Sequence, residues 1–222
     1  RETTGLLFSE NIDGAVDADG EHIFRCLEIG ICAVMQHEGA EAAAAVSPLA
    51  VAIVPPVQFP SDEFSVTGLR LSALWGHHRD LYGFDFGVLG NITDQTFTGV
   101  GISGLANLTH GMTTILALQA AGLANVNTQK TDVYGLQIAG GINWNSAQSK
   151  VVGLQLALLA NLSPNTTVYG AQVGLYNRAQ DVYGVQIGLV NFAKDLHGIQ
   201  IGLVNFNETG IFGVSPILNV GW

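Results

Sequence analysis

The side chains able to do chemistry are few, and their spacing rarely brings two together. His77 and His78 are adjacent. On a strand, successive side chains point to opposite faces, so this pair makes a poor metal site and reads as turn residues. Asp17, Asp19 and Glu21 in DADGE resemble the start of a calcium loop, but the twelve-residue ligand series is incomplete, and a solvated acidic loop is the plainer reading. No Ser, Cys or His stands in a recognisable nucleophile motif. The expectation is a chain with no catalytic, cofactor-binding or metal-binding residues, not an enzyme, needing no cofactor. The two cysteines, Cys26 and Cys32, allow a local disulfide in an oxidising compartment or two free buried thiols. The Asn-x-Ser/Thr triplets at Asn91, Asn107, Asn161, Asn165 and Asn207 read as turn chemistry.

One polar row does stand out. Stepping along the chain, glycines recur at Gly68, Gly83, Gly99, Gly135, Gly153, Gly170, Gly184, Gly198 and Gly213, with Ala117 in the place of one of them, at intervals of 14–18 residues. Seven or eight residues after most of them comes an Asn, from Asn91 to Asn205. Two residues after each leading position stand Arg70, Asp85, Gly101, Gln119, Gln137, Gln155, Gln172, Gln186, Gln200 and Ser215. Ten units therefore cover residues 66–222, the signature of a repeat architecture. The unit holding Ala117 departs most from the pattern.

Within a unit the period is two. Tyr183, Val185, Ile187 and Leu189 point one way, and Gly184, Gln186 and Gly188 the other, which reads as β-strand. Turn formers such as NITD, NTQKTD, NLSPNTT and NETG bound the units. Subtracting them leaves a strand of about 10 residues, close to the 9–11 that cross a bilayer.

Composition narrows the class. Apolar residues make up 48% of the 222 and charged residues 12%, about half the usual share of a soluble domain. The net charge of −10 argues against a nucleic-acid partner. No apolar run reaches the length of a membrane helix, and the nearest, residues 42–57, is cut by Pro48, Pro55 and Pro56. No basic start with an apolar stretch opens the chain, so any secretion signal is expected to have been removed.

Two all-β architectures fit. The first is a closed antiparallel barrel of the outer-membrane type, with about 10–12 strands built from the 14–18-residue repeats. It puts Val185, Ile187, Leu189, Ile199, Ile201 and Leu203 against lipid and the row of Arg70, Asp85, Gln119, Gln137, Gln155, Gln172, Gln186 and Gln200 in the lumen, with Arg70 paired to Asp85. The second is a β-solenoid with one coil per unit, Ile and Leu buried and the Gly-Gln-Gly face exposed. The low charge, the strand-end aromatics (Tyr134, Tyr169, Tyr183, Phe192, Phe206) and the alternation of Leu218, Val220 and Trp222 favour the barrel. The absence of alternating short and long loops speaks against it. Residues 1–60, acidic and then Ala-rich, form a separate segment, read as cap, plug or first strands, ahead of a repeat domain at 61–222.

Units such as GLQIAGGIN, GVQIGLVN and GIQIGLVN, preceded by FSVTGLRLSALWG and LYGFDFGVLGN, resemble the uncharacterised bacterial surface-repeat proteins with GLQIGLVN-type repeats. The resemblance covers about residues 57–222. It implies a Gram-negative cell envelope and a secreted all-β product, and no activity. The sequence thus predicts an outer-membrane barrel with a structural or partner-binding role, in contact with the bilayer and with other envelope proteins, or a narrow pore for small neutral solutes. The alternative is a soluble, surface-exposed solenoid acting as an adhesin or binding module.

Overall fold

The structure, a computed structural model, describes residues 24–27, 31–34 and 45–222. The chain forms two compact units, Arg1–Ala45 and Val46–Trp222. In the first, strands Phe24–Leu27 and Ile31–Val34 pair antiparallel, with Cys26 opposite Cys32 in the register. The DADGE loop and the Ala-rich stretch up to Ala44 lie outside the described residues.

The second unit is all-β, and its strands stack in parallel with like residues in register. Gly135 sits beside Gly153 and Gln137 beside Gln155 in one neighbouring coil, while Ala117 and Gln119 flank them on the other side. The same in-register stacking runs from strand Val46–Val54 through strand Val190–Asn207. This is a β-solenoid, and it overturns the antiparallel barrel. A repeat of 14–18 residues is one full coil, not one straight strand and a turn.

The reason lies in three bends per coil, shown by residues 131–148. The strand Thr131–Ala139 bends at Gly135, whose φ is 129°. A second bend at Gly140 and Gly141 leads into the strand Ile142–Asn145, and a loop at 146–148 returns the chain to its starting side. A coil thus has a first limb (131–134), a second limb (136–139) and a third limb (142–145). Most of the variation in repeat length falls at the loop, and one residue of it at the second bend, where Leu156 to Ala160 is answered by the shorter Val173 to Tyr176. Opposite Ser163 and Thr167, the next coil offers Ala179 and Asp181, two residues fewer. Because every coil runs in the same direction, each kind of turn stays at its own corner and the loops do not alternate between two rims.

The bend conformation strongly favours glycine, which stands at every leading position from Gly68 to Gly198 except Ala117. These glycines have φ between 129° and 158°, where L side chains are strained. A Cβ at Gly153 would also overlap the carbonyl oxygen of Gly135 one coil below. Such residues cannot lie in straight membrane-crossing strands.

Ten coil positions stack in this way, counting Pro48 under Gly68 and then the leading residues up to Gly198. Gly213 does not head a further coil. The strand Val214–Gly221 turns back antiparallel along the last coil, pairing Gly198 with Gly221 and Ile201 with Leu218. At the opposite end the strand Val57–Phe59 pairs antiparallel with Val51, Ala52 and Val54.

Candidate functional site

Side chains alternate inward and outward along each coil, and the inward set is largely polar. Gln119, Gln137, Gln155, Gln172, Gln186 and Gln200 are all buried. They form a ladder, Gln137 Nε2 donating to Gln119 Oε1 at 2.8 Å and so on, to Gln200 donating to Gln186 at 2.7 Å. A second ladder runs through the Asn column, from Asn91 donating to Asn107 at 3.0 Å to Asn191 donating to Asn205 at 2.8 Å. Most of these Asn side chains also donate to a backbone carbonyl of the next coil, such as Asn125 to Ile138 at 2.8 Å. Burying an amide is unfavourable unless its hydrogen bonds are made, and in-register stacking makes them with the same residue type each time. Beside the ladders runs an apolar column on the first limb, including Val66, Leu81, Val133, Val151, Val168, Val182 and Leu196.

Arg70 and Asp85, on adjacent coils, meet inside this interior. Arg70 Nε donates to Asp85 Oδ1 at 2.7 Å and Nη2 to Oδ2 at 2.5 Å, in the forked geometry that suits a guanidinium and a carboxylate. Burial pushes the Asp85 carboxyl above the usual range, against the downward pull of Arg70. Arg70 also donates to the Ile92 carbonyl at 2.8 Å and lies 3.5 Å from His78 Nδ1. His78 is buried, and burial together with Arg70 holds its pKa down at about 4. His77 points outward to Asp94, so the two histidines do face opposite ways.

The Gln ladder breaks at Gly101. The Phe97 ring leans towards the vacant place, and a Cβ on Gly101 would lie 3.1 Å from its Cζ. What remains there is a void of about 10 Å³ lined in part by Asp85, Asn91, Asn107 and Gln119, close to the smallest that holds one water. The row expected to line a lumen is therefore the packed inside of the solenoid, and a solute pore does not fit this interior.

The faces of the solenoid are the reverse of those expected for that architecture. Gln is buried, and Ile and Leu are outside. Val185, Ile187, Leu189, Ile199, Ile201 and Leu203 all point outward, Leu203 being 65% exposed. The second limbs present two outward apolar residues per coil, among them Phe84 and Phe86, Leu136 and Ile138, Leu154 and Leu156, Ile199 and Ile201. The second bend adds a column of Leu105, Leu123, Leu159, Leu175, Leu189 and Leu203. An open apolar groove of about 750 Å³ runs along this corner between Ile138, Leu158, Leu175, Ile187 and Leu203.

Among the described residues no group of three His, Cys, Asp or Glu is placed to hold a metal ion. Comparison with protein-family models, with curated proteins and with solved structures gives no match. Among the described residues, the arrangement places no titratable side chain in the open grooves at the second bend and around Val51, Leu71 and Phe86. What it offers is a long, repetitive apolar surface, and that surface is the candidate functional site. Sequence periodicity singled out its residues, while their placement on a solenoid exterior needed the bend glycines to be recognised as bends.

Proposed function

We propose that this chain is a non-enzymatic, surface-exposed β-solenoid of the Gram-negative cell envelope, a binding module of the adhesin class that works through its apolar exterior. The observation that carries the reading is the inverted distribution of side chains. Eight of the ten coils seal Asn or Gln amides inside in ladders, and the second limbs leave Leu, Ile, Val and Phe outside. Monomeric soluble proteins rarely expose contiguous apolar patches beyond about 300–600 Å², and larger ones mark interaction surfaces. Ten coils at roughly 4.8 Å, each with four second-limb residues at roughly 3.3 Å, already make about 600 Å² before the bend leucines are added. The closed interior supports binding over transport, and the resemblance to surface-repeat proteins supports the envelope.

Labelling of intact cells with a membrane-impermeant amine reagent tests the placement. Lys130, Lys150 and Lys194 lie on the exterior, with the Lys130 side chain 64% exposed. The expected result is modification of these lysines in the cells that make the protein, before lysis. Modification only after lysis overturns the surface placement.

A further inference from the structure

We infer that the partner of the apolar exterior is a lipid surface, with the solenoid lying lengthwise in the membrane interface and its charged edge towards water. This rests on the proposed binding role and names what is bound.

The distribution of charge around the coil carries the inference. Between Val46 and Trp222, every charged residue except Arg70, Asp85 and Glu208 lies three to six residues ahead of a bend glycine or its stand-in. Asp94, Lys130, Asp132, Lys150, Asp181 and Lys194 are examples, and Glu208 follows the last third limb at the equivalent place. All of these except Arg178 fall at one corner, the loop and the start of the first limb. From each bend glycine to the end of the third limb, the charges are Arg70 and Asp85, which neutralise each other inside, and one exposed cation, Arg178, which stands on a third limb between Leu162 and Phe192 of the neighbouring coils. Inward side chains of all three limbs meet, as Thr113 with Asn127 and Gln119 with Asn127, so the limbs enclose one interior. The result is a three-sided rod with one charged edge. Its opposite side consists of the apolar second limb, the leucine bend and a third limb bearing residues such as Ala106, Leu108, Ile142, Leu162, Val190 and Val204.

Aromatic residues mark both boundaries of that apolar sector. On the first limb stand Tyr82, Tyr134, Tyr169 and Tyr183, with Tyr169 stacked on Tyr183 at 4.9 Å. On the third limb stand Trp144, Phe192 and Phe206. On each flank a cation lies over a ring, Lys150 of the charged edge over Tyr169 at 5.2 Å and Arg178, at the equivalent third-limb position of the neighbouring coil, over Phe192 at 5.1 Å. Amphipathic rings between an apolar zone and charge are what a membrane–water interface selects, and long cationic side chains bridge that boundary.

A second copy of the chain is the competing occupant, and shape argues against it. A flat sheet face meets one other flat face, whereas here the apolar sector wraps a corner and continues on the third limb. A fluid hydrocarbon surface covers both sides of the corner at once. Immersion also requires backbone groups to be paired. Coil-to-coil pairing does this along the rod, and antiparallel strands cover Gly198–Gly202 at one end and Val51, Ala52 and Val54 at the other. The charged edge mixes Arg79, Lys130, Lys150 and Lys194 with its acids, so binding needs no anionic lipid.

Flotation of the purified full chain with phosphatidylcholine vesicles tests this, at low and at high salt. The expected result is flotation at both, lost in Ile187→Glu/Ile201→Glu and in Leu156→Glu, and kept in Lys130→Ala/Lys194→Ala. The glutamates replace outward side chains, and unchanged far-UV circular dichroism shows that the coils remain. Two variants at separate coils guard against one failing to fold. If the wild type stays off vesicles as a dimer that the glutamates turn to monomer, the lipid inference is overturned and the binding module stands. A wild type that is monomeric without detergent and stays off vesicles overturns both. Flotation unchanged by the glutamates overturns the assignment of this face.

Discussion

His78 shows what a single side chain contributes to this interior. Arg70 Nη1 faces its Nδ1, so Nδ1 accepts, and the proton sits on Nε2, 3.3 Å from the Pro60 carbonyl oxygen. A positive imidazole there would be both desolvated and beside a guanidinium, which holds the pKa at about 4, with His77 adding a weaker push and Asp62 a weaker pull. In the unfolded chain the same group titrates near its ordinary value of 6.5. Between those two values the unfolded chain takes up a proton that the folded chain refuses, so stability falls as pH drops from about 6.5 to about 4. The full loss is about 3 kcal/mol. Asp85, pushed upward by burial, acts in the opposite sense and does not add to this loss. Urea unfolding at neutral pH and near pH 4 should show that His78→Gln removes much of the acid-induced drop. An identical drop in the variant would assign it to surface carboxylates instead.

At the scale of the coil, Ala117 is the informative exception. It occupies a bend position with φ 79°, in the left-handed region, where a Cβ costs about 1–2 kcal/mol. The coil accommodates it by slipping. Gly99 pairs with Ile115 and Gly101 with Gln119, so four steps on one strand oppose two on the other. Ala117→Gly should therefore raise stability by about 0.5–1 kcal/mol, after the entropy cost of a glycine is subtracted. Gly153→Ala should lower it by about 1–3 kcal/mol for the conformation alone, more once the Gly135 carbonyl is displaced. Denaturant midpoints decide, and a loss of stability in Ala117→Gly would mean that the slip has relieved the strain. The repeat, its period-two alternation and the odd unit at Ala117 were legible in the sequence. The bends were not, because glycine in a strand pattern reads equally as a lumen-facing gap or as a turn, and only its φ distinguishes them. A signal for parallel stacking was nevertheless present. A column of identical Gln and another of identical Asn can satisfy themselves only when like residues sit side by side, as in-register parallel coils require. The side that buries Gln was misjudged because a polar amide reads as solvent-facing unless its ladder partners are in view.

A solenoid of near-identical coils has ends that resemble its middle, so the whole molecule must stop its own growth. Strand Val214–Gly221 does this at one end by covering Gly198–Gly202 in antiparallel register, and Asn219 Nδ2 donates to Gln200 Oε1 at 3.2 Å, closing the Gln ladder. The opposite end has a smaller cap. Val57–Phe59 covers Val51, Ala52 and Val54, while Val46–Ala50 has no antiparallel partner in this unit. Exposed sheet edges recruit further strands, and solenoids need terminal caps to stay soluble. Removing residues 211–222 uncovers one edge per molecule, and that edge accepts an antiparallel strand in the native fold. The expected product is a tail-to-tail dimer that stops at two, because each copy has spent its only newly opened edge. Open filaments require the Val57–Phe59 cap to be lost as well, since only then does each copy offer edges at both ends. Sedimentation of the truncated chain in detergent, which keeps the apolar sector covered and isolates the edge effect, should show a concentration-dependent dimer. A truncated chain that remains monomeric would show that the last coil protects its own edge, and immediate filaments would show that the three-residue cap at the other end does not block stacking.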